Sequence, residues 1–209
     1  MKNTKEVIIE KARALFNKNG VANVSVREIA RELGISHSNL LYYYENKNAL
    51  IASLHNQLLK HAVDIYQHVK NEPPLPGLFI STIEGFKVLY EYRFFMLDMV
   101  WILRENKKLH AEILEIEKLR FKMYEEKIEQ MASGEILLRS VDRSNYAILI
   151  DQIRVISDAW LTSAHIYSTT PKATIKKYAT LLLFLFYPYL TDRGKQEFKS
   201  LCMKFDIKI

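Results

Sequence analysis

Six glycines and five prolines are all that punctuate this 209-residue chain, and that scarcity most limits the folds open to it. Tight hairpins and sheet turns draw on both residues, whereas the long intervals between them here are dominated by Leu, Ile, Ala, Lys and Glu, mostly strong helix formers. No two alternating apolar runs read as a strand pair. The chain is therefore expected to be all-α. With 49% apolar and 26% charged residues it has the composition of an ordinary globular protein. Cys202 is the single cysteine, which excludes a disulfide framework. The opening Met-Lys-Asn-Thr-Lys-Glu leads into no apolar signal run. The longest nearly apolar stretch, Ala179 to Leu190, contains Pro188 and falls well short of the ~20 residues that span a bilayer. A cytoplasmic protein with no membrane span is expected.

Periodicity and caps divide the chain into helices. Asn3 or Thr4 can cap a first helix whose Ile8, Ala12, Leu15 and Phe16 share one face and which Gly20 ends. Ser25-Val26-Arg27-Glu28 is a capping-box sequence, and Val26, Ile29, Ala30 and Leu33 form the stripe of a second helix that stops at Gly34. Ser36 can cap a third, from His37 to about Tyr44, and Asn46 a fourth, from Lys47 to about Lys70. Pro73-Pro74-Leu75-Pro76-Gly77 then interrupts the chain. Further helices are expected near 77–91, 93–104, 106–132 and 143–167, with a loop over 133–142. Thr170-Pro171 opens another helix that runs toward Tyr187, and a short one follows Asp192.

Two short helices joined by Gly34-Ile35-Ser36 match the helix-turn-helix pattern. Gly34 can take the positive φ of the turn, Ile29, Ala30, Leu33, Ile35 and Leu40 can lock the pair together, and His37, Ser38, Asn39, Tyr42 and Tyr43 remain as a polar outer face. Such side chains can meet base edges and phosphates in a major groove. Ser25 and Ser36 mark helix N-termini that favour phosphate oxygens, and Arg27 and Lys47 add positive charge beside them. Eight basic and five acidic residues among the first fifty, against 22 and 19 in the rest, make this quarter of the chain the more basic per residue, which is compatible with nucleic acid. A helical hairpin with a solvated polar face is the plainer alternative, although such faces usually carry Lys and Glu rather than consecutive tyrosines.

Residues 4–51 resemble the DNA-binding domain of the TetR family of bacterial transcriptional regulators. The likeness runs from Ile9, Ala12 and Leu15-Phe16 through Gly20, Ser25-Val26 and Ile29-Ala30 to Gly34-Ile35-Ser36, Leu40, Tyr44, Lys47 and Leu50. It implies a three-helix DNA-binding domain over 1–46 and a larger helical ligand-binding and dimerisation domain over 47–209, with helix 47–70 linking the two. It also implies that Ser36 to Tyr43 form the recognition helix, that Ser25 and Arg27 meet the DNA backbone, and that Lys47 holds a phosphate. The chain departs from the family at Ser38, where glycine is common, and over Leu40-Leu41-Tyr42-Tyr43-Tyr44, where Leu-Tyr-x-His-Phe is common. The usual tyrosine is thus Leu41 and the usual histidine Tyr43, which leaves open which tyrosine touches DNA.

The likeness further implies a homodimer through the last two long helices, and the residues support it. The segment 172–190 is apolar nearly all round, so it must be covered on two sides. Ile153, Ile156, Trp160 and Ala164, with Leu181, Phe184 and Leu185, are the expected interface. A two-fold dimer sets its recognition helices about one DNA turn (~34 Å) or somewhat more apart, hence a palindromic operator on double-stranded DNA. Phe86, Tyr90, Phe94, Met99, Phe121, Tyr124 and Trp160 can line a pocket for an apolar or aromatic effector, or can equally be a filled core. Arg93, Asp98, Arg104 and Asp158 are polar groups that can orient such a ligand or form surface ion pairs.

Other chemistry finds little footing. His61, Asp64 and His68 fall near one helical face but lack the spacing and further ligand of a zinc site. No Gly-rich phosphate loop, nucleophile elbow or His-Glu-x-x-His occurs, and His37 and Cys202 lack a catalytic partner in sequence. The expectation is a DNA-binding regulator with no cofactor or metal and no enzymatic activity: a repressor released by a small molecule. A ligand-independent DNA-binding protein of the same fold, or a helical adaptor, is the alternative.

Overall fold

The computed structural model describes residues 4–139 and 143–207; the last three residues of the loop expected over 133–142 fall outside them. No β-strand occurs among the described residues, which form eleven α-helices. In chain order these are α1 (Thr4–Asn19), α2 (Val26–Glu32), α3 (His37–Tyr43), α4 (Lys47–Val69), α5 (Pro74–Glu91), α6 (Arg93–Leu97), α7 (Met99–Glu105), α8 (Lys107–Ser133), α9 (Arg143–Tyr167), α10 (Ile175–Phe184) and α11 (Asp192–Lys204). The cap expected from Asn46 is in place, its Oδ1 accepting from the Ala49 amide at 2.9 Å at the head of α4.

Two expected helices are divided. The segment 93–104 breaks at Asp98 (φ −105°, ψ 12°) into α6 and α7. The segment from Thr170 starts as a 3-10 turn, Pro171–Thr174, with no side-chain cap from Thr170, and α10 stops at Phe184. Pro188 explains that stop, because its ring meets the carbonyl four residues earlier and it has no amide to donate.

The chain forms two compact units, one of Met1–Ala62 with Glu91–Ile113 and the other of Val63–Tyr90 with Leu114–Ile209. This distribution differs from a simple cut at 46/47, because residues 91–113 pack with the N-terminal helices. In the first unit, Ile8, Ile9, Ala12 and Phe16 of α1 are buried with Ile29 and Ala30 of α2, Leu40 of α3, and Leu50, Ile51 and Leu54 of α4. Phe94 of α6 completes that core, its ring 5.4 Å from Phe16 and 6.1 Å from Phe95. Each buried Ile, Leu or Phe among them contributes roughly 1.5–3 kcal/mol by leaving water.

The second unit has its own core. Phe198 of α11 meets Phe79 of α5 at 5.0 Å, Phe184 of α10 at 5.2 Å and Tyr187 at 5.4 Å, each edge-on. Close backbone contact sets the approach of α11: a Cβ on Gly194 would lie 2.3 Å from the Ile136 carbonyl oxygen. Thr191 caps the same helix by accepting from the Gly194 amide at 3.0 Å, while the Thr191 amide donates to Ile136 O at 3.0 Å.

Candidate DNA-binding interface

The helix-turn-helix is built from local signals. Ser25 is extended (φ −99°, ψ 155°) and its Oγ accepts from the Glu28 amide at 3.1 Å. Ser36 is likewise extended (φ −68°, ψ 151°), with Oγ accepting from the Asn39 amide at 3.0 Å. Both hydroxyls are therefore engaged in satisfying the first turns of α2 and α3. Between the helices Gly34 has φ +66°, and a Cβ there would meet nothing within 4 Å. Glycine is thus needed for the left-handed backbone rather than for space. The Ile35 amide closes the turn onto Ala30 O at 3.1 Å.

This geometry fixes which side chains of α3 turn outward. Leu40 is buried, Ser38, Asn39 and Tyr42 are exposed, and His37 and Tyr43 are half-buried. Tyr42 is 84% exposed, and its ring meets Tyr43 edge-on at 5.2 Å. Tyr44 belongs to the core: it is 6% exposed, and its hydroxyl lies 3.5 Å from both Lys5 O and Ser53 Oγ. The candidate tyrosines for DNA contact are accordingly Tyr42 and Tyr43. On α2, Arg27 is exposed, and so is Arg31 one turn further along. Sequence reasoning passed over Arg31, although its four-residue spacing from Arg27 places both on one face.

Lys47, expected to hold a phosphate, is turned inward. Its ammonium donates to Val21 O at 2.8 Å and lies 5.2 Å from the centre of the Trp101 ring. Burial lowers its pKa, an effect that Glu105 partly opposes. The other side of the same residue is held as well, since the Val21 amide donates to Asp98 Oδ2 at 2.7 Å. Asp98, which could have oriented a ligand or formed a surface pair, thus anchors the turn between α1 and α2. Nearby, Asn17 Oδ1 accepts from the Phe94 amide at 3.0 Å and its Nδ2 donates to Glu91 O at 2.7 Å. Residues 91–98 are in this way fastened to the end of α1 and to the loop that leads into the helix-turn-helix.

The residues expected around an effector fall in both units. Phe94 and Met99 belong to the first, and the four-residue recurrence of Phe86, Tyr90 and Phe94 is not one continuous stripe because α5 ends at Glu91. In the second unit Phe86 stacks on Trp160 at 4.9 Å and 22°, and Trp160 lies 5.7 Å from Tyr178. Trp160 is 2% exposed and its indole Nε1 has no hydrogen-bond partner among the described residues. Tyr90, Phe121 and Tyr124 are half-buried; burial raises the Tyr124 phenol pKa, while the adjacent Arg120 opposes it. A groove of about 550 Å³ between α8 and α9, lined by Glu125, Glu129, Ile128, Tyr146, Ala147 and Ile150, contains none of the expected pocket residues.

On α9 the structure buries Ile153, Trp160 and Ala164 within the protomer and leaves Ile156 half-buried. The exposed apolar side chains of the same helix are Ile148, Val155, Ile166 and Tyr167. Leu181 of α10 is exposed, and Phe184 and Leu185 are half-buried. His68 Nδ1 lies 3.4 Å from Glu84 Oε2, and His61 lies against the Tyr92 ring at 5.9 Å.

A capped helix pair with a tight glycine turn and an exposed polar second helix is a helix-turn-helix, the arrangement with which DNA-binding proteins enter a major groove. The family described as "Bacterial regulatory proteins, tetR family" matches residues 8–54, and that described as "Bacterial transcriptional repressor" matches residues 78–198. The chain belongs to the TetR family. The probable HTH-type transcriptional regulator YttP of Bacillus subtilis is 41% identical over 51 residues, 24% of this chain and 25% of that protein. The match thus spans about a quarter of the curated relative's length. A TetR-family regulator from Marinobacter aquaeolei VT8 has the same fold, with TM-score 0.82, 20% identity, and 98% of this chain and 99% of that one covered. SmeT, the repressor of the Stenotrophomonas maltophilia multidrug efflux pump SmeDEF, superposes with TM-score 0.68 and 19% identity over 91% of this chain and 92% of its own, and is also known in complex with triclosan. No helix among the described residues is long and apolar enough to cross a membrane.

Proposed function

We propose that this chain is a repressor that binds a palindromic double-stranded operator as a homodimer and is released by an apolar or aromatic small molecule. The observation that carries the reading is the outer face of α3: exposed Ser38, Asn39 and Tyr42 stand clear of the core while every local cap beneath them is satisfied. His37 and Tyr43 flank that face, and Arg27 and Arg31 supply positive charge for the backbone. Pairing of two chains through the exposed stripe of α9 together with Leu181 is supported by the size of its apolar side chains, which solvent alone would otherwise cover. Such a dimer belongs in the bacterial cytoplasm, where the chromosome is.

Release would work by population shift, since an effector that binds one spacing of the two α3 helices better than another draws the protein away from DNA. The Phe86–Trp160 stack supports an aromatic effector, and the unsatisfied indole N–H supports one that carries a hydrogen-bond acceptor. SmeT, a repressor of the same fold, is known with triclosan bound, which favours this reading over a ligand-independent one.

Selection of bound sequences from a random DNA pool, followed by titration of the selected site at several salt concentrations, tests the DNA half. A palindromic motif whose affinity falls steeply with salt is expected, because each neutralised phosphate releases counterions. A library of aromatic molecules is then screened for displacement of the labelled site. Salt-sensitive binding that no molecule displaces would favour the ligand-independent reading, and binding of no DNA at any salt would overturn both.

A further inference from the structure

We infer that α3 reads A·T base pairs, with Asn39 selecting adenine, and that guanine is not the base recognised by this helix. The inference rests on the DNA-binding reading above and adds the base composition of the operator core. All seven residues of α3, His-Ser-Asn-Leu-Leu-Tyr-Tyr, are uncharged or histidine. Guanine is most often read by a bidentate Arg or Lys on its O6 and N7, cytosine by a carboxylate that accepts from N4, and adenine by an Asn or Gln on N6 and N7. The first two kinds of side chain are absent from this helix. Asn39 is the only residue on it able to form a two-bond pair with a base edge.

The geometry leaves Asn39 free to do so. Its backbone amide is taken by Ser36 Oγ at 3.0 Å, but its side-chain amide has no hydrogen-bond partner among the described residues and is exposed. It sits in the first turn of α3, the end of a recognition helix that reaches base edges. Tyr42, one turn further on and 84% exposed, offers a ring face that can pack against a thymine methyl, the apolar mark that A·T pairs alone present. Ser38 and His37 can each add a single bond, which discriminates less than a bidentate pair. With Lys47, at the start of α4, turned toward Val21 and Trp101, its ammonium is not directed to the base edges.

The test is selection of DNA by the purified full-length protein and by Asn39→Ala, followed by titration of the selected site with each base substituted in turn. Because the Asn39 side chain is exposed and has no hydrogen-bond partner among the described residues, the variant is expected to keep its fold, which circular dichroism checks. The wild type is expected to enrich A·T pairs where α3 enters the groove, with one adenine per half-site worth about 5- to 150-fold against other bases. That preference is lost in Asn39→Ala while preferences elsewhere persist. Replacing the adenine by 7-deazaadenine weakens the wild type and leaves Asn39→Ala unaffected. A motif built on G·C at the core, or an adenine preference unchanged in Asn39→Ala, overturns the inference and leaves the DNA-binding reading standing. No enriched sequence for the wild type overturns that reading and the inference with it.

Discussion

Asp98→Ala removes one acceptor, and its effect can be worked from the structure. Asp98 Oδ2 stands 2.7 Å from the Val21 amide, a charge-assisted bond of a kind that contributes about 1.5–3 kcal/mol. Val21 is fully buried, so deletion leaves its N–H with no replacement acceptor. Since 1 kcal/mol shifts the midpoint of a chain of this size by about 2–4 °C, a loss of about 2 kcal/mol should lower thermal unfolding by ~4–8 °C. The bond spans 77 residues in sequence and holds the turn that positions Ser25 and α2, so operator affinity should fall as well. Asp98→Asn, whose amide oxygen can still accept, should lose less on both counts. Circular dichroism melts and operator titrations of the three proteins provide the assay. Asp98→Ala within about 0.5 kcal/mol of wild type would refute the reasoning, and so would Asp98→Asn as damaging as the alanine.

Four further outcomes are expected. Lys47→Met should lower stability and weaken operator binding without changing the salt slope, because its ammonium holds Val21 O; a slope smaller by about 0.9 would show that it reaches a phosphate. Burial holds the His55 pKa below its ordinary 6.5, with Glu112 opposing, and its Nδ1 has no hydrogen-bond partner among the described residues. The unfolded chain therefore takes up the proton first, and stability present above pH 6.5 falls as pH drops toward the folded value; in urea melts, His55→Leu should flatten that fall, and a profile unchanged from wild type would contradict the assignment. Gly194→Ala forces a methyl to 2.3 Å from Ile136 O and should cost at least about 1–3 kcal/mol in the same melts. Val155→Arg, on the exposed side of α9, should give monomers by sedimentation, whereas persistence of the wild-type assembly would move the interface elsewhere.

What the sequence made legible follows from the range of each signal. Ser25, Ser36 and Asn46 cap helices through amides three residues on, and Gly34 bends the chain where it stands, so the helix-turn-helix could be read from a window of twenty residues. Tyr44 could not be sorted from Tyr42 and Tyr43 in this way, because its burial depends on where α1 and α4 pass, at Lys5 and Ser53 respectively. The anchoring of Val21 by Lys47 and Asp98 joins residues 26 and 77 positions apart, and neither side chain announces its partner. A helix with apolar residues on several sides has the same difficulty: α9 presents Ile153 inward and Val155 outward, and both are ordinary aliphatic residues. The orphaned Trp160 Nε1 is a three-dimensional fact with no local sequence mark.

Hydroxyl-radical footprinting of the purified protein on its selected operator tests the central claim most directly, that two copies seat α3 in successive major grooves. Two protected tracts on one face of the duplex, centred about one helical turn (~34 Å) or somewhat more apart and related by the dyad of the sequence, are predicted. A single protected tract, or none at protein concentrations that saturate the site in solution, would contradict it.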